Sequence, residues 1–528
     1  MKLTYKQYAT LISSLTLLST TLSSCDDNWL TEPSPGVSKL DDFFSGADAA
    51  QQIIIGAYTP LMWEYANTFF SEWFIGDVVS DDAIKGGQNT NDMADVYDME
   101  NWKTMPNSTF LLDFYRAQYQ GIGRANLAIE QISAMHLTDD FGADKQNQLV
   151  AEAQFLRAYY YFRLVRVFGG VPLVDFVDDD DDKWQQPRAT ANEIFAFIKN
   201  DLQQAEPFLP LKSKQATTDY GRATKGAVQA MLLKVCLYTQ DYTEAKQWAE
   251  KIIDSGEYSL CDNYADNFTL EGENGPESIF EIQYTEDPTS DYGEGMGFTR
   301  GTFTTILIRS RSTSFGDAGW GFNKPTQNLF DEFEPTDPRR DITILNPTDE
   351  QIENQAQETY LGNQFINKKY GLYNDEGNAV SYKLTHATRS PMNNRQIRYS
   401  DVLLMYAEAC EALGLNTNAI DALNKVRNRV GLTDYPGYSI QINGQTITPD
   451  LRTAIRHERR VELAMEGHRW FDLCRWGVAK QVMDAYATTE TDEAQAQMAT
   501  FVEGKHELFP IPTKELDLNP AMKQNPGY

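Results

Sequence analysis

The chain has no run of about 20 apolar residues, the length a helix needs to cross a bilayer, so no membrane-spanning helix is expected. Cysteine is scarce, five in 528 residues, with no Cys-x-x-Cys pair and no Cys/His cluster, which argues against a zinc site. There is no Gly-x-Ser-x-Gly elbow and no phosphate-binding P-loop. Basic residues are in short supply: 46 Lys and Arg against 76 Asp and Glu, a net charge of −30. Such a surface repels phosphate backbones and anionic head groups, so nucleic-acid partners are not expected.

What is present is a globular composition, 41% hydrophobic, with 27 Tyr, 27 Phe and 9 Trp. That much apolar matter builds a folded core despite the charge. The length admits two or three domains or one interleaved unit.

The N-terminus carries an export signal. Lys2 and Lys6 precede a short Leu/Ile/Ser/Thr stretch from Leu11 to Leu22, and Leu22-Ser23-Ser24-Cys25 is followed at once by Asp26-Asp27. Residues 1–24 read as a signal peptide and Cys25 as a lipobox cysteine, acylated to become the mature N-terminus. More than one acyl chain on one cysteine meets the two-signal requirement for stable anchoring. Cleavage removes two lysines and no acid, so the mature charge is −30 − 2 = −32.

Residues 25–46, with Pro33, Pro35 and Gly36, form a polar tether. Helical periodicity begins near Ala47 and fills an N-terminal part over 47–259, with long patterns from Phe110 to Met135 and from Gln146 to Phe168. Gly169-Gly170 and Pro172 end the second of these. Shorter patterns cover 192–206, 222–239 and 241–254. Leu237 to Ala245 joins two helices through a very short turn, and the layout returns at Leu403–Leu413 and Ala419–Val430 with alanines where helices approach. Such pairs follow the logic of tetratricopeptide repeats. Cys236 and Cys410 lie in these apolar patterns and read as buried free thiols. Over 260–395 the helical stripes vanish and Gly, Pro, Asn, Asp and Thr take over, with short β runs such as Ser278–Tyr284. This stretch reads as an irregular insert, and 396–528 as a C-terminal helical part that completes the scaffold.

Five segments together resemble the SusD/RagB family of nutrient-binding outer-membrane lipoproteins: the lipobox; Ala151–Phe162 running into Phe168-Gly169-Gly170-Val171-Pro172-Leu173; Arg398–Ala409; Glu458–Leu473; and the ending Leu508-Phe509-Pro510-Ile511-Pro512 to Asn525-Pro526-Gly527-Tyr528. The resemblance implies a mainly α fold of four tetratricopeptide-like helix pairs bearing an irregular ligand-binding insert. It implies a lipid-anchored protein at the outer membrane, facing the cell exterior, that acts as a lid on a SusC-like TonB-dependent transporter. Its cargo would be an oligo- or polysaccharide, or peptide as in some members. No catalysis and no cofactor are expected; a surface glycoside hydrolase is the reading from another class.

A sugar offers apolar C–H faces and hydroxyls, so its site needs flat aromatic rings beside amides. Asn101 and Trp102, in a polar stretch after the first helices, fit that requirement, as do Trp320 among the glycines of 316–321 and Tyr292 in Ser290-Asp291-Tyr292-Gly293. Trp73, among apolar neighbours, reads as core, and Arg309 and Arg311 as solvated loop charge. Asp178 to Asp182 reads as a solvated acidic loop rather than the spaced oxygens calcium needs. His457-Glu458 begins like HExxH, but position 461 is Val, so this segment reads as structural ion pairing. Two carboxylates at hydrolase spacing cannot be picked from so acidic a chain.

Overall fold

The computed structural model describes residues 46–64, 71–178, 181–287, 300–348, 358–374, 379–387, 389–442 and 444–528. Cys25, the signal peptide, the tether and Tyr292 lie outside the described residues, as do Asp179 and Asp180 of the acidic run. No helix among the described residues is long and apolar enough to cross a membrane.

The architecture is mainly α. Helix α1 spans Gly46–Tyr58, α2 Ala94–Glu100, α3 Thr109–Ala134, α4 Ala143–Phe168, α5 Ala191–Ala205, α6 Lys225–Tyr238 and α7 Tyr242–Ser255. After the insert come α8 Tyr399–Ala412, α9 Asn416–Arg429, α10 Leu451–Glu462, α11 Arg469–Arg475 and α12 Ala479–Tyr486. Side-chain caps set the starts: Ser108 accepts from Leu111 N, Thr224 from Ala227 N, Asp241 from Glu244 N and Asp450 from Thr453 N. Thr190 and Glu193 form a reciprocal capping box on α5. Each satisfies a backbone donor that the first turn would leave unpaired.

From α3 to α9 each helix packs on the next in a continuous series. Close approach needs small residues. A Cβ on Gly121 of α3 would stand 2.5 Å from the Tyr160 ring of α4, so only glycine lets these two long helices meet. The repeat seen in the sequence recurs in the backbone. Asp241 N donates to Cys236 O at 2.8 Å, and Leu415 N to Cys410 O at 2.8 Å, the same six-to-one closure after two equivalent helices. Cys236 and Cys410 therefore occupy one position of the repeat, both buried and both free thiols.

The insert leaves after α7 and returns before α8, yet α7 and α8 pack directly on each other. The helical stack thus closes across the base of the insert. Its two ends meet as an antiparallel pair, β2 (Ser278–Ile282) with β4 (Asn394–Arg398). A second pair, β1 (Ala83–Gly86) with β3 (Phe322–Pro325), ties the insert to the N-terminal part. A short hairpin strand, β5 (Ile440–Ile442), precedes α10.

Charge as well as apolar packing locks these parts together. The segment 457–462 lies buried on α10, and its ion pairs reach across to other elements. Glu462 accepts from Arg339 at 2.9 Å, Arg398 at 3.0 Å and Arg429 at 2.5 Å. Glu458 takes Arg339 and Arg427 at 2.6 and 2.9 Å. Arg459 bridges Asp401 and Asp472, while Arg460 holds Asp81, Asp82 and Glu332. Arg309, expected in solvent, is also buried and donates to the Gly371 and Tyr382 carbonyls. A guanidinium in the interior must find several acceptors, and two loop carbonyls of the insert supply them here.

His457 belongs to the same network, its Nδ1 2.7 Å from Glu332 and its Nε2 3.7 Å from Glu334. Burial disfavours the imidazolium, but the two carboxylates outweigh it and raise the pKa to about 9. A raised folded-state pKa stabilises the protein fully below the unfolded value near 6.5, and that gain is lost as pH rises through about 9. His457→Gln should therefore destabilise by an amount on the order of 1–3 kcal/mol at pH 6, and by clearly less at pH 9.5. Urea unfolding of both proteins across that range checks it, and a difference independent of pH contradicts the charged histidine.

Candidate functional site

Asn101 and Trp102 do not form an exposed pair. Asn101 is 1% exposed and its amide donates to Tyr97 O at 2.8 Å. Trp102 is 9% exposed. Its φ of 58° turns the chain so that the indole enters the interior, with centroids 5.4 Å from Trp470, 5.0 Å from Phe501 and 5.8 Å from His506. The polar neighbours that suggested a loop belong to the end of α2. Trp102 instead clasps that end to α11 and to the C-terminal segment, where Ala499 N donates to Asn101 O. Trp73 is buried as expected, with its indole donating to Thr304 at 3.2 Å.

Trp320 is different. It is half-buried, set against Phe303 with ring centroids 6.0 Å apart. Its backbone is held on both sides: Trp320 N donates to Ile306 O at 2.8 Å and Gly321 N to Arg309 O at 2.9 Å. One turn of chain therefore supports an indole that keeps part of its surface in solvent.

Directly beside it lies a polar loop that sequence reasoning did not single out, Gly86-Gly87-Gln88-Asn89-Thr90-Asn91-Asp92. Gly87 N donates to Gly321 O at 2.8 Å, so the loop starts one residue from Trp320 across the β1/β3 pair. Gly86 has φ +76°, and a Cβ there would lie 2.1 Å from Gly321 O, so the approach excludes any side chain. Gln88, Asn89 and Asn91 are exposed. Asn89 Oδ1 caps the turn, accepting from Asn91 N and Asp92 N at 2.9 and 3.2 Å. The Gln88 and Asn91 side-chain amides have no hydrogen bond to any described residue. Two glycines followed by a run of amides was the available signal.

The loop is pinned from below. Lys85 is fully buried, and its ammonium donates to Gly86 O at 2.8 Å, Asn89 O at 3.0 Å and Asp92 O at 2.5 Å, over the faces of Phe322 and Tyr360. Burial lowers its pKa to about 8 against the pull of Glu100 and Asp92, which still leaves it mostly charged at pH 7. On the other side of β3, the Glu358 carboxylate accepts from Ser310, Arg311 N and Lys324 at 2.6, 3.0 and 2.8 Å. Burial opposes its charge, but Lys324 prevails and the Glu358 pKa is lowered. Both supports are charged groups buried under the surface they hold still.

The arrangement offers a partly open indole and a ledge of uncommitted amides on a braced backbone. Among the described residues no group of three His, Cys, Asp or Glu stands ready for a metal ion. The acids beside the ledge are engaged: Asp92 Oδ2 accepts from Gln88 N at 2.9 Å, and Glu358 is ion-paired. Asp317, three residues before Trp320, has a buried oxygen without a partner among the described residues. The two tryptophans thus predict opposite phenotypes. Trp102→Ala should destabilise by about 3–5 kcal/mol, the usual loss for a truncated core indole. Chemical unfolding measures this, and a loss below about 1 kcal/mol contradicts the core assignment.

Comparison with known proteins agrees with the architecture. The SusD family profile matches residues 276–528, and a second profile, described as starch-binding associating with outer membrane, matches 30–237. The chain is 27% identical over 531 residues to SusD-like protein P2 of Formosa agariphila, covering 96% of this chain and 97% of that one. Surface glycan-binding protein A from Bacteroides fluxus superposes with a TM-score of 0.77 at 25% identity, over 92% of this chain and all of that one. Surface glycan-binding protein A from Bacteroides thetaiotaomicron, in complex with laminarihexaose, gives 0.75 at 25% identity over 90% and 99%. With its helix-pair scaffold, its insert and both halves matched, the chain belongs to the SusD/RagB family.

Proposed function

We propose that this protein is a non-catalytic, cell-surface glycan-binding lipoprotein that captures oligo- or polysaccharide and passes it to a SusC-like TonB-dependent transporter. The observation that carries the binding step is the half-open Trp320 on its Phe303 support, next to the Gln88–Asn91 amides. An indole face takes the C–H face of a sugar ring and the amides take its hydroxyls. Open sites of this kind gain from preorganisation, because each ordering step is subtracted from a small total. The relative bound to laminarihexaose and the profile named for starch binding support a glycan over a peptide as cargo.

A glycan panel against the soluble mature chain tests this reading. Retention of one glycan without released product is the expected result; product would indicate a hydrolase, and retention of peptide alone would indicate the other cargo. On the cognate glycan, Trp320→Ala should lose about 1–3 kcal/mol by analogy with base stacking on aromatics, roughly five- to a hundred-fold in affinity. Trp320→Phe should keep part of it, with both variants melting near the wild type. Wild-type affinity in Trp320→Ala would remove this indole from the site.

Anchoring and partnership rest on Cys25 and on the family. Cys25→Ala should abolish incorporation of a fatty-acid analogue and release the protein from membranes. Pull-down of the acylated protein from solubilised outer membranes should recover a large TonB-dependent barrel. Label persisting in the variant, or recovery of periplasmic proteins alone, contradicts this part.

A further inference from the structure

A cavity of about 310 Å³ opens between α10, α11, α12 and β5. Its wall is apolar, formed by Ile442, Leu473, Trp476, Val478 and Val482, and its polar rim includes Thr453, Arg456 and Gln481. The floor is the ion network, with Arg460, Arg469 and His457 committed to Asp81, Asp82, Glu332 and Glu334.

The rim arginines are not equally paired. Arg452, Arg456 and Arg475 lie among Glu408 and Glu411 of α8, Asp450 at the start of α10 and Asp472 of α11. Arg452 takes both oxygens of Glu411, at 3.1 and 3.0 Å. Arg475 takes both oxygens of Glu408, which also accepts from the Trp476 indole at 3.0 Å. Arg456 is left over. Half-buried, it makes no hydrogen bond or ion pair to any described residue, and its guanidinium lies over the Trp476 ring, 4.7 Å from the centroid. Burial, with Arg452 and Arg475 beside it, outweighs the pull of Glu408 and Glu411 and lowers the Arg456 pKa. A guanidinium with carboxylates nearby but none in direct contact, at the mouth of an apolar cavity, offers a local place for an anion.

We propose that this cavity binds an apolar carboxylate, with the acid group gripped by Arg456 and the hydrocarbon part against Trp476, Leu473 and Val482. Guanidinium and carboxylate match as planar, two-bond partners, and the indole behind Arg456 holds its fork in one plane. An engineered cavity of about 150 Å³ accepts a benzene ring, so this one has room for an aryl or branched alkyl chain. A sugar is a poor occupant, because the apolar wall would leave its hydroxyls unpaired. The carboxylate comes from a free small acid or from the C-terminus of a polypeptide ending in an apolar residue. This site shares no residue with the Trp320 platform, so it stands whether or not that platform binds glycan.

The probes are 3-phenylpropionate and its uncharged amide, with the tripeptide Ala-Ala-Phe carrying a free or an amidated C-terminus, titrated into the mature chain by calorimetry or ligand-observed NMR. Saturable binding of 3-phenylpropionate, at least tenfold tighter than its amide, is expected, and Arg456→Gln should abolish that preference. Arg456 makes no hydrogen bond or ion pair to any described residue and loses only its stacking on Trp476, so the variant should melt within a few degrees of the wild type. Val482→Trp, which fills the cavity and keeps the arginine, should block binding as well. Binding of the free acid alone assigns a small-molecule ligand; binding also of the free-ended tripeptide assigns a chain terminus. Equal affinity for acid and amide, unchanged binding in Arg456→Gln, or no saturable binding of either acid overturns the proposal.

Discussion

Glu462 accepts three guanidinium groups in an interior closed to water, and the three come from separate parts of the chain: Arg339 from the insert, Arg398 from the strand that ends it, and Arg429 from α9. Each ion taken from water loses several kcal/mol of solvation, which a single partner seldom returns. A set of ions sharing partners returns more, because most of its carboxylate oxygens and N–H groups find a partner in place, Arg429 Nε being an exception. Removing one member leaves the others buried and unpaired, at about 3–5 kcal/mol. The network therefore acts as a condition of assembly: the insert, α8, α9 and α10 are all in register or the charges are stranded.

That condition serves the surface. The described residues of the insert form only short helices and strands, and loops of that kind need bracing from beneath. Arg339 ties the insert to α10 by Glu458 and Glu462, and Arg460 ties the N-terminal Asp81 and Asp82 to Glu332 of the insert. Lys85 and Glu358 repeat the device on a smaller scale under the Trp320 ledge. Buried acids and bases come close to balancing among the described residues, so most of the acid excess of the chain lies outside the interior. A glycan, which is mostly neutral, is not repelled by that excess, whereas polyanions are.

Arg456 stands apart from this pairing. Around α10 the arginines are ion-paired to carboxylates, so one that lies over an indole at a cavity without a direct ion pair to any described residue breaks the pattern. In a network governed by desolvation, an unmatched charge is tolerated only where solvent or a ligand can reach it.

The sequence by itself determined the class of the protein. Apolar stripes at helical spacing, caps, and a stop at Gly169 set the long helices; the paired layouts around Cys236 and Cys410 set the repeat; loss of periodicity marked the insert. These are local signals, written in residues a few positions apart, and they survive in one dimension. Which aromatic ring faces solvent was decided only by tertiary structure. Trp102 and Trp320 sit in equally polar stretches, yet one closes on Trp470 and Phe501 and the other stands half-open against Phe303, because the residues that cover a ring arrive from hundreds of positions away. The charges of α10 likewise carried the signature of ion pairing, but their partners lie on the insert, the N-terminal part and the neighbouring C-terminal helices, and only the fold brings opposite charges from such distances into one dry interior.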